Sequence, residues 1–276
     1  MTILVTGARG AVARDLVRRL VAAGLPVRAA GRDPAAARLP GGVEAVRADL
    51  ADPGTLGPAL DGVARVFLYA ERQGLDGFAA RARAAGVEHV VLLSAAGADA
   101  SSADPIARLH GEAEEAVARS GIAWTFLRAG GFATNALQWA GTIRAEGVVR
   151  DPFPESWTAP IHEADIAAVA LRALTGPGHA GTAPVLTGPE RLTRRRQAER
   201  IGEAIGRTVA VERQDLDEHR RDLARWGPPE VAEALIRHSV AAIDAPPPVT
   251  GDVERITGRP ARTFAEWARD HAADFR

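Results

Sequence analysis

The stretch Ile3-Leu4-Val5-Thr6-Gly7-Ala8-Arg9-Gly10-Ala11-Val12-Ala13 decides the fold of this chain. Its first three residues form an apolar run typical of a buried strand. Gly7 then permits a sharp turn, Gly10 lets the backbone approach a pyrophosphate, and Ala13 is small enough for a helix to pack closely on the strand. Backbone amides at the start of that helix favour an anion. We therefore expect a dinucleotide diphosphate to contact Gly7, Ala8, Arg9, Gly10, Ala11 and Val12.

The segments that follow this turn alternate between apolar strands and amphipathic helices. The pattern predicts strands over residues 26–30, 43–46, 63–69, 89–94 and 122–127, and helices over residues 74–85 and 105–120. Gly24 should end the first helix, and Asp52-Pro53 should open a short one. Such an alternation builds right-handed βαβ units. The sequence thus predicts an α/β fold in which residues 1–130 form a doubly wound parallel Rossmann sheet that binds a dinucleotide.

The pattern loosens after Arg128 and becomes mainly helical. Helices are predicted over residues 132–146, 165–174, 193–206, 216–243 and 263–273. Asp165 and Thr193 are the expected N-caps of two of them. We expect residues 131–276 to form a smaller, mainly helical C-terminal cap for the substrate, packed on the first domain and partly interleaved with it.

The composition excludes several classes of function. The formal net charge is -1, so no basic excess favours nucleic acid, and cysteine is absent. All the basic side chains that Lys and Arg contribute are arginines, which rules out Schiff-base catalysis by lysine. No apolar run approaches the roughly 20 residues of a membrane span, and no cluster has metal-ligand spacing. We expect a cytoplasmic monomer or homodimer that acts on a small molecule without a metal.

The end of the second predicted strand bears on which dinucleotide binds. Arg32 can hold a 2′-phosphate with its planar guanidinium, which favours NADP(H), and Arg9 can support it. Asp33 could instead serve the 2′-hydroxyl of NAD(H), and Arg32 could be an ordinary solvated turn residue. Asp49 follows the third strand and could either reach the adenine or cap its own loop.

Several motifs, taken in order, resemble the NmrA-like branch of the atypical short-chain dehydrogenases. They are Val5-Thr6-Gly7-Ala8-Arg9-Gly10, Ala48-Asp49-Leu50-Ala51-Asp52, Val91-Leu92-Leu93-Ser94, His110-Gly111-Glu112-Ala113-Glu114, Ser120-Gly121-Ile122-Ala123-Trp124-Thr125, Leu127-Arg128-Ala129-Gly130 and Ile161-His162-Glu163-Ala164-Asp165-Ile166. The resemblance covers almost the whole chain. That family contains NADPH-dependent reductases, quinone reductases, and regulators that bind the dinucleotide without turning it over.

The resemblance also implies positions for the site residues. Those expected beside the cofactor are Asp49 and Leu50, the end of the fourth strand at Leu68, Tyr69 and Ala70, and the end of the fifth at Ser94 and Ala95. Asn135 and His162 would approach the substrate from the cap region. His162 precedes a predicted helix, so it could instead be a capping and packing residue of that helix.

One departure from the family affects the expected chemistry. Orthodox members carry a tyrosine and a lysine four residues apart on the helix after the fifth strand, and here those positions hold Ile106 and His110. His110 is therefore a candidate to hold the ribose or donate a proton, or else a structural histidine. Tyr69 and Ser94 are further catalytic candidates, whose alternative roles are pocket wall and strand-end hydrogen bonding.

These observations favour an NADP(H)-dependent oxidoreductase that lacks the Tyr/Lys pair. A quinone- or enone-like substrate would need little acid assistance, and this class includes secondary metabolites. A non-catalytic NADP(H) sensor is one alternative. A tailoring enzyme that uses the same fold for non-redox dehydration or cyclisation is another.

Overall fold

A parallel sheet forms the centre of the protein. The computed structural model describes residues 2–37, 39–71, 73–225 and 227–276. Its strands are β1 (Thr2–Val5), β2 (Val27–Gly31), β3 (Glu44–Arg47), β4 (Val63–Tyr69), β5 (His89–Ala95), β6 (Ala123–Ala129), β7 (Val148–Arg150), β8 (Trp157–Thr158), β9 (Val185–Leu186), β10 (Leu192–Thr193) and β11 (Ala210–Glu212). The seven-stranded sheet has the order β3-β2-β1-β4-β5-β6-β9. Strand order reverses between β1 and β4, and ligands bind at such a switch point.

Helices connect these strands and cover the sheet. They are α1 (Ala11–Ala22), α2 (Leu56–Leu60), α3 (Leu75–Ala84), α4 (Pro105–Arg119), α5 (Ala140–Glu146), α6 (Glu163–Thr175), α7 (Arg194–Ile205), α8 (Leu216–Leu223), α9 (Pro229–Asp244), α10 (Asp252–Thr257) and α11 (Phe264–Asp270). Short 3₁₀ turns cover Pro34–Ala36, Pro53–Thr55, Ala133–Trp139 and Ala272–Phe275.

The core lies on both faces of the sheet because successive strand residues point to opposite sides. In β5, Val91 packs in the cluster formed with α1 and α6, whereas Leu92 packs in the cluster formed with α2, α3 and α4. Leu16 of α1 and Phe78 of α3 are buried on these two opposite faces. The predicted doubly wound Rossmann fold is confirmed.

The second half of the chain has its own apolar core and also completes the sheet. Ile143, Ile201 and Trp267 are buried together where α5, α7 and α11 meet. Strand β9 pairs with β6, and α6 packs against α1. Segments after residue 130 therefore belong to both the helical cap and the Rossmann core.

Some local predictions for the second half were wrong. Helix α6 begins at Glu163 rather than at residue 165, and its N-cap is His162, whose Nδ1 accepts a hydrogen bond from the Ala164 amide at 3.1 Å. Asp165 is not a cap because its carboxylate binds the backbone amide of Arg262 at 2.7 Å. Residues 133–139 form a 3₁₀ turn before α5. The cap strands were missed because two or three residues show no hydrophobic period.

Candidate functional site

A cavity of about 550 Å³ lies at the switch point between β1 and β4. It is lined by residues 6–10, 31–33, 48–51, 69–71 and Gln73. These segments follow the carboxyl ends of β1, β2, β3 and β4, because parallel strands all end at the same edge of the sheet. The glycine turn, Arg32, Asp49 and Tyr69 therefore meet in one pocket, although they are far apart in sequence.

The glycine turn is held rigidly between two strands. The amide of Thr6 donates to Phe67 of β4 at 3.0 Å, and the amide of Ala8 donates to Ala30 of β2 at 3.1 Å. Gly7 has a φ of +65°, a left-handed conformation that favours glycine. Gly10 is the N-cap of α1, so the amides of the first helical turn have no partner within the helix itself.

The side chain of Tyr69 lies directly on this turn. A Cβ atom on Gly7 would be 2.6 Å from the Tyr69 ring, and one on Gly10 would be 2.9 Å from its hydroxyl. The ring also makes an edge contact with Phe67, at a centroid distance of 5.5 Å. Burial raises the pKa of Tyr69 to about 12, despite opposing effects of the Ala13 backbone and Arg14. So high a pKa makes the phenol a weak proton donor.

Charged side chains surround the other end of the cavity. Arg9, Arg32 and Asp33 are exposed at its wall. The Asp49 carboxylate accepts a hydrogen bond from the Ala51 amide at 3.1 Å, which leaves its second oxygen available to a ligand. The loop that carries Leu50 lies so close to the start of α3 that a Cβ on Gly74 would collide with the Leu50 carbonyl.

Ser94, which does not line this cavity, belongs to a buried polar network at the end of β5. Its hydroxyl donates to Glu114 of α4 at 2.6 Å. The guanidinium of Arg128 donates two bonds to the same carboxylate, at 2.9 and 2.6 Å. Burial raises the cost of leaving any of these groups unpaired. Glu114 and Arg128 belong to two of the sequence motifs, but nothing in the sequence pairs them except their opposite charges, because Glu112 in the same motif is equally acidic.

His110 is half-buried on α4, one turn before Glu114. Its Nδ1 is buried and has no hydrogen-bond partner among the described residues. Burial lowers the pKa of His110 even though the Glu114 charge raises it, so the ring is neutral at pH 7. A neutral imidazole with an unpaired buried nitrogen can bind a hydroxyl group. Ile106, one turn earlier on the same helix, offers no polar atom.

The two residues expected to approach from the cap lie elsewhere. Asn135 is exposed in the 3₁₀ turn before α5. His162 is buried at the start of α6 and borders another cavity, of about 680 Å³, with Arg14, Leu137 and His271. The Nε2 of His162 is 3.3 Å from Asp270. Neither residue lines the cavity that contains the glycine turn.

The described residues contain neither a membrane-spanning helix nor a cluster of metal-ligating side chains. Within residues 2–37, 39–71, 73–225 and 227–276, no helix combines the length and apolar character needed to cross a membrane. The same part of the chain contains no group of three or more His, Cys, Asp or Glu side chains arranged to hold a metal ion.

The residues of the main cavity suit a phosphorylated dinucleotide. Its glycine turn at a helix amino terminus can bind a diphosphate, and Arg32 can bind a further phosphate. His110 does not line this cavity, but its buried Nδ1, without a partner among the described residues, can bind a hydroxyl group. These three features are independent of one another, and all are supplied by side chains or backbone present in this chain.

Comparisons with known proteins point the same way. A family model described as NAD(P)H-binding matches residues 7–177. The chain is 41% identical over 279 residues to the (4-alkanoyl-5-oxo-2,5-dihydrofuran-3-yl)methyl phosphate reductase of Streptomyces griseus, and the match covers 99% of each protein. It is 39% identical over 282 residues to the NAD(P)H azoreductase of Xenophilus azovorans, again over 99% of each. The crystal structure of an NADPH-dependent quinone oxidoreductase from Escherichia coli matches with a TM-score of 0.80 and 28% identity, covering 97% of this chain and 98% of that one.

Proposed function

The chain belongs to the NAD(P)H-binding family, in its NmrA-like branch of atypical short-chain dehydrogenases, and from that premise we propose that it uses NADPH to reduce a small, strongly activated alkene or quinone. The observation that carries this proposal is that α4 has neither a tyrosine nor a lysine. Ile106 and His110 stand where an orthodox member would have its tyrosine and lysine. The substrate must therefore need little help from an acid.

The cofactor would begin in this cavity and extend past the end of β4. Gly7, Ala8, Arg9 and Gly10 line the cavity and would hold the diphosphate together with the backbone of Ala11 and Val12 at the start of α1. Arg32 would hold the 2′-phosphate, Asp49 and Leu50 the adenine, and Ala70 the nicotinamide half, with His110 contributing from outside the cavity lining. A solved structure of the Escherichia coli quinone oxidoreductase, 27% identical to this chain, contains NADPH. That finding supports NADP(H) as the cofactor here.

The polar groups expected near the nicotinamide half of the cofactor supply little acidity. Ser94 already donates its proton to Glu114, and burial makes the Tyr69 phenol a weak acid. His110 is neutral at pH 7 and would position the ribose rather than act as a strong acid. The side chains of this chain therefore orient the reactants, and the proton can come from solvent.

A substrate that stabilises its own negative charge fits such a site. In the substrate that gives the Streptomyces griseus relative its name, the ring double bond is conjugated with both the ring carbonyl and the alkanoyl carbonyl. The nicotinamide, when bound, supplies a hydride. The electron pair displaced from the double bond is then shared by two carbonyl groups, and the resulting enolate is protonated afterwards. We propose an acyl-substituted unsaturated lactone, or a quinone of similar electronic character, as the substrate class.

A substrate panel with NADPH oxidation as the readout tests the proposal. The panel contains a 4-acyl unsaturated lactone with and without a phosphate group, a quinone, an azo dye and a simple unconjugated ketone. We expect kcat/KM for the doubly activated alkene to exceed that for the ketone by about a hundredfold or more, equivalent to about 2.7 kcal/mol of barrier. Gly10→Val serves as a folded variant that should not bind NADPH.

Two results would count against the proposal. Equal reduction of the unconjugated ketone would mean that the site contains an effective acid. Tight NADPH binding without turnover of any panel member would favour a sensor. Deuterium transferred from labelled NADPH to a ring carbon of the lactone would support the alkene as the reduced group.

A further inference from the structure

One side chain, that of Tyr69, packs against the cradle formed by Gly7 and Gly10. We propose that Tyr69 is a plug, whose ring closes the diphosphate cradle and must rotate away before a dinucleotide can bind. The inference rests on the proposed function, since it concerns the same cofactor site. It assigns to Tyr69 a gating role instead of a role as pocket wall or proton donor.

The first step of the argument is the space that the ring occupies. A Cβ on Gly7 would lie 2.6 and 2.8 Å from two carbons of the Tyr69 ring. A Cβ on Gly10 would lie 2.9 Å from the hydroxyl oxygen. Real Cβ atoms do not approach other atoms so closely. Gly7 thus packs against the Tyr69 ring, and Gly10 packs against the Tyr69 hydroxyl.

The second step is that a diphosphate needs this same space. The missing side chain of Gly10 is what lets a diphosphate approach the backbone in Rossmann turns. The Tyr69 hydroxyl lies on that side of Gly10, near the Ala13 backbone and the charge of Arg14 at the start of α1. A phenol oxygen here takes the place that a phosphate oxygen would take at a helix amino terminus. The two cannot be present together.

The third step is that the ring can move without disturbing the sheet. Tyr69 is the last residue of β4, and its backbone is held by pairing with Leu93 and by a 3.1 Å bond from its amide to the Thr6 hydroxyl. Rotation about χ1 would leave those bonds intact. The adjoining cavity of about 550 Å³, which Ala70 and Glu71 also line, offers room for the displaced ring.

A plug of this kind has a defined effect on binding. Only the fraction of molecules with the ring displaced can accept the diphosphate, so the apparent Kd is raised by the inverse of that fraction. Removal of the ring should therefore tighten cofactor binding. The observed association rate should also level off at high NADPH concentration, because ring displacement precedes binding.

The test compares NADPH binding by calorimetry in the full-length wild type, Tyr69→Phe and Tyr69→Leu. We expect Tyr69→Leu to bind NADPH about tenfold more tightly than the wild type, whereas Tyr69→Phe keeps the ring and should stay within about threefold. Phe78→Leu is a matched control, because it shortens a buried aromatic side chain on the opposite face of the sheet, away from the glycine turn. Adenosine 2′-monophosphate lacks a diphosphate and should bind all four proteins equally.

A second measurement uses the fact that the chain has a single tyrosine. Labelling with 3-fluorotyrosine gives one ¹⁹F resonance, which needs no variant to fold. NADPH should shift that resonance to the position of an exposed fluorotyrosine, and adenosine 2′-monophosphate should not.

The opposite results would overturn the plug. If the hydroxyl donates to the diphosphate, Tyr69→Phe and Tyr69→Leu will both bind NADPH more weakly. If Tyr69 is a fixed wall, the resonance will stay buried at saturating NADPH. If neither wild type nor Tyr69→Leu binds NADPH, the proposed function fails together with the plug; NADPH binding that is insensitive to Tyr69 overturns the plug alone.

Discussion

Ser94 and Arg128 are paired neighbours on β5 and β6, and both are bound to the same carboxylate, that of Glu114 on α4. The contact ties the helix that carries His110 to the two strands beneath it. The Ser94 hydroxyl is thereby satisfied within the protein. We infer that the network positions α4 and that Ser94 does not itself bind substrate.

The first prediction concerns this network. Glu114→Gln should lower the free energy of unfolding by about 2 kcal/mol, because it leaves the partly buried Arg128 without a counter-charge. Denaturant titration measures the loss. Glu115→Gln is the matched control: it breaks only an exposed pair with Arg119 and should cost less than about 0.5 kcal/mol. Ser94→Ala should leave kcat nearly unchanged, and a large loss of kcat in a stable Ser94→Ala protein would place the hydroxyl on the substrate.

The second prediction concerns the choice of cofactor. We expect the wild type to prefer NADPH over NADH by about tenfold or more, because a charge-assisted contact to the 2′-phosphate is worth roughly 1.5–3 kcal/mol. Arg32→Ala should remove most of this preference and leave the affinity for NADH little changed. Arg213→Ala, which removes an exposed arginine outside the cavity, is the control. A wild type that prefers NADH would identify Asp33 as the selecting residue.

The third prediction concerns His110. Its buried, unpaired Nδ1 should bind a ribose hydroxyl, so His110→Ala should weaken NADPH binding. Its kcat should remain within about tenfold of the wild type, or about 1.4 kcal/mol of barrier. Calorimetry and steady-state kinetics separate the two effects. A loss of kcat of about a thousandfold with unchanged NADPH affinity would make His110 the general acid.

The fourth prediction is a pH dependence of stability that originates at His271. Burial lowers the pKa of His271, but its hydrogen bonds to Glu163, at 2.7 Å, and to Asp274 outweigh burial and raise it. The unfolded pKa is about 6.5. The protonated ring therefore stabilises the fold fully below about pH 6.5, and this contribution is lost as pH rises through the higher folded pKa.

His271→Gln tests this pH dependence, because glutamine can still donate a hydrogen bond to Glu163 but does not titrate. Denaturant titrations from pH 6 upward should show the wild type losing stability relative to the variant. Glu163→Gln should reduce the same slope, since the carboxylate favours the His271 proton. Parallel curves for wild type and His271→Gln would show that the His271 proton does not contribute.

Much of the fold could be predicted from short-range sequence signals. The glycine turn after Val5 and the alternation of apolar strands with helices were enough to predict the doubly wound sheet. The resemblance to the NmrA-like family is confirmed, and so is an NAD(P)H-dependent reductase. Asp165 was predicted wrongly as the N-cap of α6, whereas the alternative that His162 caps this helix is confirmed.

The candidate site could be predicted only in part, and its individual residues remain predictions. The spacing of Gly7, Gly10 and Arg32 along the chain was enough to predict that they meet at one edge of the sheet, because parallel strands end together. Spacing could not show that Tyr69 would lie on the glycines or that Glu114 would engage Ser94. Ser94 and Glu114 are 20 positions apart and Gly7 and Tyr69 are 62 positions apart, and both contacts depend on side-chain directions.

The sequence by itself determined the order of strands and helices, the position of the glycine turn, and the lack of a tyrosine–lysine pair on α4. These properties follow from local backbone preferences and from residue identity, which need no partner. Only the tertiary structure decided which polar groups are satisfied within the protein and which, like the Nδ1 of His110, have no partner among the described residues. That distinction arises on packing, because burial removes water as the alternative hydrogen-bond partner. Each buried polar group left unpaired then raises the free energy of the folded state.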